Sequence, residues 1–243
     1  MIRKMLTIAA AILVVLGCGA LVGFTLESES NARFTALEVD VEEVDGVFFV
    51  DAAAVKEAIL EHDSITGSFV ADLALADVAK WVHGIPAVDE VRVYPGLNRT
   101  LHVHVTQRKP LARLHISADT PDQYLDENGA LLPLSSHYTA RVPIIHAASA
   151  EDAVPGFKLV EATCEHALWS AFIDQIEVKP TGALVVIPRV GGARIHFDSL
   201  DDLEGKLNKL EVFYREQIAR GNLNAYKTID LAYKDQVVAQ RYY

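Results

Sequence analysis

Lys227-Thr228-Ile229-Asp230-Leu231-Ala232-Tyr233-Lys234-Asp235-Gln236-Val237-Val238-Ala239-Gln240-Arg241 is the stretch on which the reading of this sequence turns. Its first part is β-branched and apolar, its middle is polar, and valines return at Val237-Val238. That is the pattern of a strand, a tight turn and a closing strand. Only Tyr242-Tyr243 follow in the sequence, so the closing strand is expected at a sheet edge. An edge strand presents unpaired N–H and C=O groups, which make it either an aggregation hazard or a docking site.

Upstream, Leu203, Leu207, Leu210, Tyr214 and Ile218 recur at helical spacing. This predicts one long helix, capped by Asp198 or Ser199, with Asp201, Asp202 and Glu204 near its positive end and Gly221 as its stop. Short strands are expected at 111–116, 123–125, 130–132, 173–178, 183–187 and 193–197. They are punctuated by Asp126-Glu127-Asn128-Gly129, Pro180-Thr181-Gly182 and Gly191-Gly192. A further helix is expected within 160–169. From Lys109 onward the chain therefore reads as β-rich with one long helix.

Residues 34–107 have a different rhythm. Leu37, Val39 and Val41 alternate with Glu38 and Asp40, the mark of a half-buried strand. Asp51 precedes the helical run 52–60, and 72–82 forms a second run with Leu75, Val78 and Val82 on one face. Strands follow at 88–94 and 101–106, the latter alternating leucine and valine with His102 and His104. Strand, helix, helix, strand, strand is a compact α+β unit large enough to fold alone.

The N-terminus carries a third signal. Met5 to Leu26 contains no charged residue, with Arg3 and Lys4 before it and Glu27 and Glu29 after it. As a helix, 22 residues reach about 33 Å, enough to span a hydrocarbon core of about 30 Å. The basic flank predicts residues 1–4 in the cytoplasm, a transmembrane helix over 5–26, a linker at 27–33 and an extracytoplasmic body. A cleaved signal peptide and a lipoprotein box ending at Cys18 are the competing readings of this run. Net charge is −11, which argues against nucleic acid as a partner, since phosphate contacts need clustered Lys and Arg. The two cysteines, Cys18 and Cys164, make no disulfide framework.

The order of elements and several motifs resemble the FtsQ/DivIB family of bacterial cell-division proteins. Pro86 to Pro95 (PAVDEVRVYP) resembles the family's run after its second helix. Thr100 to Ala112 (TLHVHVTQRKPLA) resembles its strand with an Arg-x-Pro-x-Ala junction. Tyr124 to Gly129 (YLDENG) resembles the first hairpin of its β domain, and Lys206-Leu207 lies in a run like its long helix. Ile229-Asp230-Leu231-Ala232-Tyr233 resembles its closing Asp-Leu-Arg-Tyr motif, with Ala232 where the family has arginine.

The resemblance implies an α+β protein with one transmembrane helix, a POTRA domain (34–108) and a C-terminal β domain (109–243). It also implies a non-enzymatic divisome scaffold in the bacterial inner membrane, with its C-terminus in the periplasm. Its implied partners are FtsB-like and FtsL-like membrane coiled-coil proteins, which add a strand at the C-terminal edge, and other divisome proteins reached through the POTRA domain. The expected partner-binding residues are Tyr233, Lys234, Gln236, Val237, Val238 and Ala239. No catalytic residue, metal, cofactor, nucleic acid or small-molecule substrate is expected.

Against this stands an anchored or lipidated envelope enzyme such as a cell-wall hydrolase, with scattered His and carboxylates building a site. A POTRA-bearing transport component is a third reading. The sequence contains no HExxH, GxSxG, SxxK, Walker or CxxC motif. His102 and His104 share a strand face with no third ligand visible beside them, so a solvated face is expected there. Cys164 is expected as a buried small hydrophobe, and Trp81 and Trp169 as core.

Overall fold

The computed structural model describes residues 13–18, 32–43, 46, 48–135 and 138–242. Residues 13–18 are helical. Most of the predicted transmembrane run, 5–26, lies outside the described residues, and among those described no helix is long and apolar enough to cross a membrane. The chain divides into two compact units, Met1–Gln107 and Arg108–Tyr243.

In the first unit, β1 (Ala36–Glu42), α1 (Ala52–Leu60), α2 (Leu75–His83), β2 (Val88–Pro95) and β3 (Thr100–Gln107) follow in order. The sheet runs β1-β3-β2, with β1 parallel and β2 antiparallel to the central β3. Asp51 caps α1 by accepting the Ala54 N–H at 2.7 Å. Leu101, Val103 and Val105 of β3 are buried together with Val55, Ile59, Val78 and Val82 of the helices. Hydrophobic alternation thus sets one sheet face against α1 and α2 and leaves the other to solvent. Gln107, buried at the end of β3, accepts the N–H groups of Phe49 and Val50 at 2.8 and 2.9 Å. It fastens the approach to α1. Trp81 is half-buried rather than core, stacked on His62 with ring centroids 4.9 Å apart.

The second unit holds β4 (Pro110–His115), β5 (Gln123–Asp126), β6 (Leu131–Pro133), β7 (Ile144–His146), α3 (Val154–Thr163), α4 (Ala167–Phe172), β8 (Ile173–Val178), β9 (Leu184–Pro188), β10 (Arg194–Phe197), α5 (Leu203–Ala219), β11 (Tyr226–Asp230) and β12 (Val238–Arg241). Among the described residues they form a nine-stranded sheet, β12-β11-β10-β9-β8-β7-β4-β5-β6. The helix expected within 160–169 is two helices, because the chain turns at Cys164–His166 and restarts at Ala167. Asp126 builds the β5–β6 turn. Its buried carboxylate accepts the N–H groups of Asn128 and Ala130 at 2.9 and 2.8 Å, and Gly129 takes φ +74°.

Registers align one apolar row across this sheet: Leu114, Ile145, Ile176, Val186, Ile195, Ile229 and finally Ala239. Leu159 and Val160 of α3, Trp169 and Phe172 of α4, and Leu210 and Tyr214 of α5 complete that core. Trp169, Phe172 and Tyr214 meet edge to face at 5.5 and 4.9 Å. Gly156 lets α3 lie close on the sheet: a Cβ there would sit 3.0 Å from Ile145 and 3.1 Å from Val178.

α5 departs from the expected stripe. Lys206, Leu210, Tyr214 and Gln217 are its buried residues, while Ile218 is 61% exposed. The start differs too. Asp202, at φ +49°, is the N-cap residue and makes no side-chain cap bond. Asp198 and Ser199 instead hold the Lys206 ammonium, which donates to Asp198 Oδ1 at 2.6 Å and to Ser199 O at 2.9 Å. This pairing keeps the Asp198 carboxyl below its ordinary pKa.

Candidate docking edge

β10, α5 and β11 form a crossover in which β11 lies parallel to β10, with Arg194, Ile195 and His196 beside Thr228, Ile229 and Asp230. The long apolar face of α5 buries Leu210 and Tyr214 on the sheet and brings the chain back in the same direction. Ile229 and Leu231 are 1% and 0% exposed, so the end of β11 is fixed by burial. The Leu231 N–H extends the pairing to His196 O at 3.0 Å.

The chain then reverses over 231–237. Asp230 Oδ1 accepts the Ala232 N–H at 2.9 Å, Lys209 of α5 donates to Tyr233 O at 2.7 Å, and Asp235 adopts φ +62°. Aspartate tolerates that left-handed backbone better than most residues. β12 returns antiparallel to β11 with Asp230 opposite Val238, Ile229 opposite Ala239 and Thr228 opposite Gln240. Arg241 closes the pair by donating to Tyr226 Oη at 3.3 Å, and the Tyr242 N–H reaches Ala225 O at 3.1 Å.

β12 is thus the outer strand at this end of the sheet. Val238 and Ala239 point to opposite faces. Ala239 ends the apolar row, while Val238 continues the row containing His196 and Asp230. Tyr233 is 50% exposed and Val238 46%. Lys234 and Gln236 are exposed, and Val237 and Ala239 are half-buried. Besides Tyr233, whose carbonyl is held by Lys209, the structure brings Gln236 and Val237 of the six predicted site residues against α5. With Asp235 they line one wall of a groove of about 480 Å³, whose other wall is Lys209, Val212, Phe213 and Glu216 of α5. The helix wall was missed in the sequence. The sequence signal for it was Val212, an apolar residue outside the predicted stripe.

The other candidates resolve differently. The Cys164 thiol donates to Glu161 O at 3.2 Å and is half-buried rather than core. His102 and His104 face carboxylates across β1, at 3.4 Å (Glu38) and 2.9 Å (Asp40). Among the described residues no group of three or more His, Cys, Asp or Glu is placed to hold a metal ion.

The family model described as FtsQ/DivIB, C-terminal related, matches residues 109–240, from the first strand of the second unit into β12. The chain belongs to the FtsQ/DivIB C-terminal related family. The match includes β11 and reaches into β12. FtsQ/DivIB proteins are cell-division proteins, generally non-enzymatic and typically membrane-associated. No curated protein matches the sequence closely enough to name a relative.

Proposed function

We infer that this chain is a non-enzymatic divisome scaffold that takes a segment of another division protein as an added strand beside β12. The observation that carries the reading is the position of β12: an outer strand, free of proline, with Tyr233 and Val238 exposed and the α5 groove alongside. Backbone hydrogen bonds would supply affinity, and the side chains of Tyr233, Lys234, Gln236, Val237, Val238 and Ala239 specificity. The partners by family resemblance are FtsB-like and FtsL-like membrane coiled-coil proteins. In this reading the first unit is a POTRA domain that meets other divisome proteins and helps link early to late division proteins. Residues 5–26 anchor the chain once through the inner membrane, with the body in the periplasm.

Two proline variants test the strand. Neighbouring residues of an antiparallel edge strand turn their N–H groups to opposite sides, so V238P and A239P each remove a donor, one facing β11 and one facing outward. The variant that loses the outward donor is expected to keep its fold by circular dichroism and lose binding to the extracytoplasmic segments of FtsB-like and FtsL-like proteins. If both folded variants bind those segments with unchanged Kd, strand addition at β12 is wrong.

A further inference from the structure

The first unit has an edge of a different kind. β1 pairs with β3 over Ala36–Glu42 without a register break, and among the described residues no strand pairs with its other side. It contains neither proline nor glycine. The opposite edge, β2, is blunted: its register shifts between Val88 and Glu90, and it ends in Pro95. A bulge and a proline are ordinary ways of discouraging strand addition. β1 has neither.

On its exposed face β1 carries Ala36 and then three acidic side chains. Glu38, Asp40 and Glu42 have side-chain exposures of 67%, 76% and 52%. Their orientation is held from behind by β3. His102 Nδ1 lies 3.4 Å from Glu38, and His104 Nδ1 lies 2.9 Å from Asp40. His104 Nε2 lies 3.5 Å from Glu42, and the Thr106 hydroxyl donates to Glu42 at 3.3 Å. Across the sheet Arg92 lies 3.9 Å from Glu90, and the fixed charges of β1 itself are all negative. Same-face residues on a strand repeat about every 6.8 Å, and residues directly opposite on a paired strand have Cβ atoms about 5 Å apart. A strand laid against 38–42 of β1 therefore meets a carboxylate at every second position.

We propose that β1 is a docking edge for an extended basic segment of another polypeptide, one with Lys or Arg at alternate positions, which joins the three-stranded sheet as a fourth strand. Backbone bonding to the outer side of β1 sets the register. Opposite-charge pairs with Glu38, Asp40 and Glu42 select the sequence. The proposal concerns the first unit and is independent of the β12 reading.

The probe is a labelled synthetic peptide, Lys-Val-Lys-Val-Lys-Val-Lys, titrated into the purified full chain at low salt. Its controls are the same residues with the lysines in one block, and the alternating peptide N-methylated along one edge. Saturable binding is expected for the alternating peptide, with slowed amide hydrogen exchange confined to 36–42. Blocking the lysines or N-methylation should weaken it roughly tenfold, and the triple variant E38Q/D40N/E42Q should do the same. E90Q should stay within about twofold. Equal binding by the blocked or N-methylated peptide would reduce the effect to general charge attraction and overturn the proposal. So would slowed exchange on β2 instead of β1. The methylated peptide leaves the protein unaltered, so it tests the edge whether or not the triple variant folds.

Discussion

The nine-stranded sheet ends differently on its two sides. At one end stands β6, three residues long, whose Pro133 has no N–H to offer. The chain beyond it folds back, so that the Tyr124 hydroxyl accepts the Ala140 N–H at 3.1 Å. At the other end stands β12, with four residues and no proline, beside a groove along α5. Both ends are anchored by fully apolar residues, Leu132 at 2% exposure and Leu231 at 0%. The difference lies in backbone chemistry: one end strand lacks a donor at its proline, and the other has an N–H at every residue.

Moving the proline challenges this contrast most directly. The β12 proline variant that loses its outward donor should weaken partner binding roughly 100-fold, since it removes a ladder bond and obstructs the incoming backbone. P133V should leave partner binding within about twofold. Equal effects of the two would mean that the ends are not functionally distinct. Next in size are the anchors. Leu231→Ala and Leu132→Ala should each cost about 2–5 kcal/mol in urea unfolding, but only L231A should also loosen the docking edge and slow partner association.

Asp122, between β4 and β5, gives the β6 side an acid-sensitive clamp. Burial pushes its pKa up, but hydrogen bonds from His115 and Arg113, with their charges, outweigh it and leave the carboxyl below its ordinary value of 3.8. Its contribution is therefore complete at neutral pH and fades as the solution is acidified below about 3.8. D122N should cost about 2 kcal/mol at pH 7 and flatten the acid limb of a stability-against-pH curve. Asp230→Ala, which removes the acceptor for the Ala232 N–H, should cost about 1 kcal/mol and raise exchange rates over 231–237. The smallest effect belongs to Ala232→Arg. Ala232 is exposed, so the family's arginine should change stability by less than about 0.5 kcal/mol. Any consequence should appear in partner affinity alone.

Much of the architecture was legible where periodicity was strong. The β-α-α-β-β order of the first unit followed from Leu37/Val39/Val41, Val78/Val82 and Leu101/Val103/Val105, and the closing hairpin from Thr228/Ile229 before the polar turn and Val237/Val238 after it. What could not be read was long-range. No local pattern announces that β4, β7 and β8 run parallel, or that β11 lies parallel to β10, because parallel pairing is set by crossovers. The α5 stripe was misjudged because Lys206 is buried through its ion pair, and hydrophobic spacing cannot signal a buried lysine. The expected partner-binding residues rested on position and resemblance. Their helix neighbours Val212 and Phe213 could not be joined to them without the fold.

β12 is bonded to β11 among the described residues, while β11 is bonded on both sides and followed by the buried Leu231. Loss of β12 would therefore leave β11 paired to β10 on its other side. Under the proposed strand addition, an incoming strand has two ways to be accepted, beside β12 or in its place. Addition turns an outer strand into an inner one and shelters residues 238–242 from proteases. Exchange expels the same residues and exposes them to cleavage. Limited proteolysis of the bound and free protein reads out which of the two occurs.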